Sequence, residues 1–92
     1  MSDSQEPNPI FEHSIYWVRL NDSQILQSET LHTGETPIWL EIEKQDSGYF
    51  LHTLAEDRKS GSDTWHQSLD DAFHQAEYSC GIRRDEWKQF HT

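Results

Sequence analysis

The segment from Asp63 to Ile82 carries the start signal, the apolar stripe and the stop signal of one complete helix. Ser68 followed three residues later by Asp71 has the form of a capping box, and acidic side chains suit the positive start of a helix. Gly81 before Ile82 is typical of a helix that ends in a left-handed residue and folds an apolar side chain back. The apolar residues that share one face at helical spacing are Leu69, Ala72, Phe73, Ala76 and Cys80. This stripe requires a second apolar layer for the helix to cover.

Three segments before the helix have the patterns of β-strands. Residues Ser14–Leu20 are dense in β-branched and aromatic side chains and are followed by a polar turn. Residues Pro37–Glu43 alternate apolar and polar side chains, and residues Tyr49–Leu54 follow a turn that ends at Gly48. The last two strands are therefore predicted to form a hairpin.

The alternation in the Pro37–Glu43 strand assigns its two faces. One face is aliphatic and is expected to receive the helix through Leu69, Phe73 and Ala76, whereas the other is expected to face water. The aliphatic set is Ile38, Leu40 and Ile42, and the water-facing set is Trp39, Glu41 and Glu43.

The remaining segments are less regular. Residues 24–33 leave a short strand and an extended loop both open, because two apolar residues are followed by polar ones with Leu31 isolated. Residues 56–63 have the composition of a charged loop. Near the C-terminus, Asp85 is a possible cap, and Trp87 with Phe90 would lie on one side of a single helical turn that folds back onto the domain.

The order of these elements predicts an α+β fold. We expect an antiparallel sheet of three to four strands, with one main helix packed on one face and a short C-terminal helix. The length of 92 residues fits a single domain, which we place at residues 11–92. Residues 1–10 are polar and contain two prolines, so we expect a disordered N-terminal tail.

Composition narrows the setting of the protein. Four Trp, three Tyr and four Phe supply large buried areas in a chain that is only 33% hydrophobic. Cys80 is the one cysteine, which excludes an intramolecular disulfide and favours a core thiol. The N-terminus lacks the basic and apolar regions of a signal peptide, and no apolar run approaches about 18 residues. We therefore expect a cytoplasmic protein without membrane association.

The charge balance bears on possible partners. Seven basic and seventeen acidic residues give a formal net charge of −10, which would repel a phosphate backbone, so direct binding to nucleic acid is not expected. A basic protein is the partner that this charge would attract. The other explanation is that an acidic surface simply keeps a small protein soluble.

Six histidines raise the possibility of metal binding. His66, Asp70 and His74 are spaced at i, i+4 and i+8 near the helix start, and such a row can supply ligands to a divalent metal. The alternative is a surface or packing role, because His66 precedes the cap and the third position turns away around the helix. No cofactor signature is present, and no pair of nucleophile and base has the spacing of a catalytic set.

Two aromatic side chains are candidate contact residues. Tyr78 lies about 90° or more from the centre of the apolar stripe of the helix. Trp39 lies on the strand face opposite the aliphatic set. Exposed aromatic residues are frequent at protein interfaces, although another element of the chain or an oligomer would explain them equally well.

Part of the chain resembles a known family. The run Gly48-Tyr49-Phe50, followed by Asp63-Thr64 and Ser68-Leu69-Asp70-Asp71-Ala72, is similar to the hairpin and helix start of HicB-like antitoxins. The resemblance implies a non-enzymatic protein that masks a basic ribonuclease toxin. Residues 63–66, 75–78 and 81–82 also resemble small bacterial proteins of unknown function, which would imply a fold but no activity.

Two functional hypotheses follow from the sequence. The favoured one is a non-catalytic protein-protein interaction module, of antitoxin or immunity type, that binds a basic protein partner through an acidic surface with Trp39 or Tyr78 in the contact. The alternative is a small His-based metal-dependent enzyme that uses His66, Asp70 and His74.

Overall fold

A five-stranded antiparallel sheet and one main helix dominate the computed structural model, which describes residues 7–28, 31, 34–59 and 61–90 and confirms the α+β class. The strands lie in the spatial order β4-β3-β2-β1-β5, so the first four form a meander and the last returns to the far side of β1. The elements are β1 (Ser14–Arg19), α1 (Asp22–Gln27), β2 (Trp39–Gln45), β3 (Gly48–Leu54), β4 (Gly61–His66), α2 (Leu69–Cys80), a 3-10 turn (Arg84–Glu86) and β5 (Lys88–Gln89).

Helix α2 begins and ends where the sequence predicts. The Ser68 side chain accepts a hydrogen bond from the Asp71 N–H at 3.0 Å. Gly81 ends the helix in the left-handed region at φ 74°, and its N–H donates to the Glu77 carbonyl. The N–H of Ile82 donates to the Ala76 carbonyl at 3.4 Å, which buries the Ile82 side chain beneath the helix end.

The core lies between α2 and one face of the sheet. Ala72 and Ala76 are fully buried against Leu40 and Ile42, as the stripe predicts. The larger helix residues Leu69 and Phe73 are half-buried at the margins of this cluster. Ile38 precedes β2 and is only half-buried, so the prediction that it shares this layer is wrong.

Residues 24–27, which the sequence left open between a strand and a loop, belong to α1, which begins at Asp22; Ser28 and Leu31 lie outside helix and strand. Asn21 and Gln24 form a reciprocal capping box, with each side-chain oxygen accepting the other residue's N–H at 2.9 Å. The buried Gln24 amide also donates to Glu86 Oε1 at 2.8 Å, which ties the helix to the C-terminal turn. The part of the earlier prediction at positions 29, 30, 32 and 33 lies outside the described residues.

The sheet has more strands than the three to four predicted because two short segments pair with it. Residues 61–63 were assigned to a charged loop, yet they begin β4, which pairs along its whole length with β3. The predicted short C-terminal helix is a 3-10 turn followed by the two-residue strand β5, which pairs with Tyr16 and Trp17 of β1. Trp87 and Phe90 are both buried, as their spacing suggested, but on a turn and strand rather than on one helical turn.

Candidate functional site

A groove of about 670 Å³ lies between α2 and the end of the sheet formed by β3 and β4. The strand register places Thr53 opposite Ser62 and Leu51 opposite Thr64, on the same side of the sheet as the core. Apolar side chains include Leu31, Pro37, Leu40, Leu51, Ala76 and Cys80. Polar ones include Thr53, Ser62, Thr64, Gln75, Tyr78 and Ser79. None of the residues that line the groove in the described part of the chain is charged.

Tyr78 lies at the rim of this groove and is 84% exposed, as its position away from the apolar stripe of the helix predicts. The neighbouring Glu77 is also exposed. On the groove side, Gln75 donates a hydrogen bond to Ser79 at 2.6 Å, so these polar side chains bind each other across one helical turn. The rim of the groove thus presents a largely exposed aromatic ring.

Trp39 has a different environment, although the sequence grouped it with Tyr78. It is half-buried on the sheet face opposite α2, and the guanidinium groups of Arg19 and Arg58 lie 4.9 and 5.2 Å from its ring centre. The Trp17 ring lies 6.1 Å away. The structure therefore does not bring Trp39 and Tyr78 together on one surface.

The face opposite α2, predicted to be wet, contains a buried carboxylate. Glu41 is 1% exposed and accepts hydrogen bonds from Arg58 Nη2 at 2.5 Å and from Ser14 Oγ at 2.7 Å. The N–H of Ile10 lies 3.2 Å from both of its oxygens, and Arg58 also donates to the Asn8 carbonyl. The prediction that Glu41 faces water is wrong, because the N-terminal segment and Arg58 cover it and replace its hydration.

His52 lies beside Glu41 in the hairpin and was not singled out from the sequence. Its ring stacks on Phe11 at 3.7 Å, its Nε2 lies 2.9 Å from Glu43 Oε1, and its Nδ1 lies 3.9 Å from Asp63 Oδ2. The hairpin register that pairs Glu41 with His52 is the signal that would have found this group. The Phe11 ring covers His52, and the contacts with Glu43 and Asp63 tie the neighbouring strands together, so the arrangement stabilises this face of the sheet.

The three predicted metal ligands do not converge. His66 is buried, and its two ring nitrogens lie 2.8 Å from Asp71 Oδ2 and 2.7 Å from Thr64 Oγ1. Asp70 is bound by Arg84, and His74 is exposed on the helix. Across the described ranges, no group of three or more His, Cys, Asp or Glu side chains is placed to hold a metal ion.

Cys80 lies in the groove as a buried free thiol. Burial raises the pKa of this thiol, and a hydrogen bond with Ser28 opposes that shift. A raised pKa keeps the group in the unreactive thiol form at neutral pH. Cys80 therefore contributes an apolar surface to the groove rather than a nucleophile.

The charged side chains are distributed unevenly. Every Lys and Arg except Lys59 binds a carboxylate or lies over an aromatic ring of the chain itself. Several exposed carboxylates in the described ranges have no cationic side chain within ion-pair distance: Glu12, Asp22, Asp46, Asp57 and Glu77. The surface charge that has no opposite partner is therefore negative, because nearly all Lys and Arg side chains contact carboxylates or aromatic rings of the same chain.

Comparison with family models, curated proteins and solved structures finds no match for this chain. Among the helices that the structure describes, none is both long enough and apolar enough to cross a membrane.

Proposed function

We propose that this chain is a non-catalytic protein-binding module that recognises a basic protein partner through its acidic surface, with Tyr78 in the contact. One observation carries the proposal: Tyr78 is 84% exposed at the rim of the groove, on a domain whose Lys and Arg side chains, apart from Lys59, contact carboxylates or aromatic rings of the same chain. A cytoplasmic setting and an antitoxin or immunity type of partnership belong to the same proposal. They rest on the composition and on the likeness of the hairpin and helix start to HicB-like antitoxins.

Charge and aromatic surface have separate roles in this proposal. A net charge of −10 accelerates encounter with a basic protein, an effect that salt screens. Affinity comes mainly from a few aromatic side chains that lose water in the complex. Tyr78 suits that role because its backbone already lies on a regular helix and only two side-chain torsions have to be fixed when it binds.

Trp39 is the weaker candidate of the two aromatic residues. The stacked cations and the partial burial of its ring reduce the area that a partner can cover. The proposed contact is therefore centred on α2 and the groove. Trp39 lies outside it and serves as the aromatic residue with which Tyr78 is compared.

The test is capture of partners from the native host at low salt, followed by kinetics with the purified partner. We expect a stoichiometric basic protein whose association slows as salt rises to physiological strength, with dissociation changed much less. Tyr78→Ala should speed dissociation at least about tenfold, the range of interface hot spots. Leu26→Ala is the matched control, because Leu26 is equally exposed at 86% but does not line the groove.

Two results would contradict the proposal. One is recovery of no stoichiometric basic protein. The other is a complex whose kinetics are unaffected by salt and by Tyr78→Ala.

A further inference from the structure

Strand β4 is the long free edge of the sheet. It pairs with β3 on one side, and within the described residues no backbone group hydrogen-bonds its other side. The opposite edge strand, β5, has only two residues. Edge strands are usually protected by lysine, proline or a bulge, and the sequence Gly-Ser-Asp-Thr-Trp-His of β4 contains neither residue and pairs with β3 in unbroken register. Alternate residues of a strand direct their N–H and C=O groups toward opposite edges, so about half of the six residues of β4 present unpaired backbone groups to another strand.

The two faces of β4 differ in chemistry. Ser62 and Thr64 point to the side of α2 and line the uncharged groove. Asp63 and Trp65 alternate with them and lie on the opposite face, where the Asp63 side chain is 56% exposed and Trp65 is 49% exposed. A strand added beside β4 would meet an uncharged groove on one face and a carboxylate with an aromatic ring on the other.

We propose that an extended basic segment of the partner adds to β4 as a sixth strand, with alternating apolar and cationic side chains. The apolar side chains would enter the groove, and the cationic ones would lie against Asp63 and the Trp65 ring. This inference rests on the proposed function, because it specifies how the basic partner binds. Attraction between charges needs no particular backbone contact, whereas strand addition requires the partner's backbone to form hydrogen bonds with β4.

The charge of the domain selects a foreign strand over a second copy of this chain. Pairing two β4 strands would bring together two domains that each carry a formal charge of −10. A basic segment reverses the sign of that interaction, and its cations find a carboxylate and a ring on the same face of β4. The occupant is therefore a positively charged segment from another protein.

The probe for the test is an end-capped octapeptide in which valine and lysine alternate. One control has the same residues in two blocks, which keeps the charge but removes the alternation. A second control carries N-methyl groups on two adjacent central residues. Successive N–H groups of a strand point to opposite edges, so this peptide cannot pair normally along either edge. Binding is measured by calorimetry, and its location by ¹⁵N amide shifts.

We expect the alternating peptide to shift the amides of residues 61–66 and to protect those that point to the free edge, and both controls to bind at least about tenfold more weakly. Trp65→Ala should weaken binding of the alternating peptide several-fold, and Asp63→Asn should reduce its salt dependence. Gln89→Ala is the matched control, since this exposed residue lies on β5 at the opposite edge of the sheet, and it should bind as the unsubstituted protein does.

The outcomes separate the two proposals. No binding of the alternating peptide, equal binding of the N-methylated peptide, or shifts confined to α2 would overturn strand addition. The proposed function fails instead when no basic protein is captured from the host. Self-association that protects the β4 amides of the free protein would also overturn the inference, because a second copy would then occupy the edge.

Discussion

The carboxylate of Glu41 and the guanidinium of Arg58 lie 2.5 Å apart on the sheet face opposite α2, where the Glu41 side chain is 1% exposed. Arg58 reaches this position from the loop after β3 with its backbone in the left-handed region, at φ 61°. A buried carboxylate is stable only when an opposite charge and hydrogen bonds replace the water that it has lost. Arg58, Ser14 and Ile10 provide them here.

Glu41→Gln should lower the free energy of unfolding by about 3 kcal/mol, because it leaves the Arg58 charge without its buried partner. Chemical denaturation at neutral pH measures the change. Glu56→Gln is the control, since it breaks an exposed pair with Arg19 and should cost less than about 1 kcal/mol. Equal losses for the two variants would show that the Glu41 pair is not buried in solution.

Gly81→Ala should cost about 1 kcal/mol, since an L-residue in the left-handed region at φ 74° is strained. An added Cβ would also lie 2.7 Å from Gln27 Oε1. Gly34→Ala separates the two effects, because Gly34 has φ 87° and nothing within 4 Å of its added Cβ. Thermal denaturation gives the loss of stability for each variant. The amount by which the loss for Gly81→Ala exceeds that for Gly34→Ala then measures the cost of the contact with Gln27. We expect it to be small, because the Gln27 side chain is flexible.

Protonation of Glu86 should make the domain less stable in acid. Hydrogen bonds from the Arg83 N–H and the Gln24 amide lower the pKa of Glu86 below its ordinary value of 4.5. The stabilisation from this lowered pKa is therefore complete above the unfolded pKa and is lost as pH falls through the lower folded value. Comparing urea denaturation of the unsubstituted protein and Glu86→Gln should show a gap that is widest near neutral pH and narrows below pH 4.5. A gap that stays constant with pH would contradict this assignment.

The Cys80 thiol should react slowly with a disulfide reagent at neutral pH. Burial raises its pKa and blocks access, so the folded protein should react at least about tenfold more slowly than the denatured chain. The reaction is followed in buffer and in denaturant by the absorbance of the thiolate that the reagent releases. Comparable rates in the two conditions would mean that the groove opens readily around Cys80.

Helix α2 and the β2–β3 hairpin could be predicted from the sequence because their signals are local. Ser68 and Gly81 lie within one turn of the groups they cap, and the hairpin closes through the two residues between Gln45 and Gly48. Tyr78 could be placed at the surface for the same reason, since its position follows from helical periodicity alone.

Strand β4 could not be predicted in this way. Its first residues are glycine, serine and aspartate, which do not favour strands, and it is a strand because β3 pairs with it. Helix α1 has only six residues and a poor apolar pattern, although the spacing of Asn21 and Gln24 is that of a capping box. The groove depends on β4 and on the end of α1, so it also lay beyond what the sequence could predict.

The buried pair is the clearest case of a long-range effect. Alternation in β2 predicts that Glu41 faces water, and within the hairpin that expectation is reasonable. It fails because Arg58 follows 17 residues later and the chain before β1 crosses the same face. Neither contact has a signal near Glu41 in the sequence.

The place of β5 also bears on how the molecule is best attached to a surface. Four strand spacings of about 4.8 Å separate β5 from β4, so the two edges lie roughly 19 Å apart. A linker fused after β5 would therefore anchor the protein by one edge and hold β4 away from the support. The β5 edge is therefore suited to attachment through a linker, and the β4 edge stays exposed to solution.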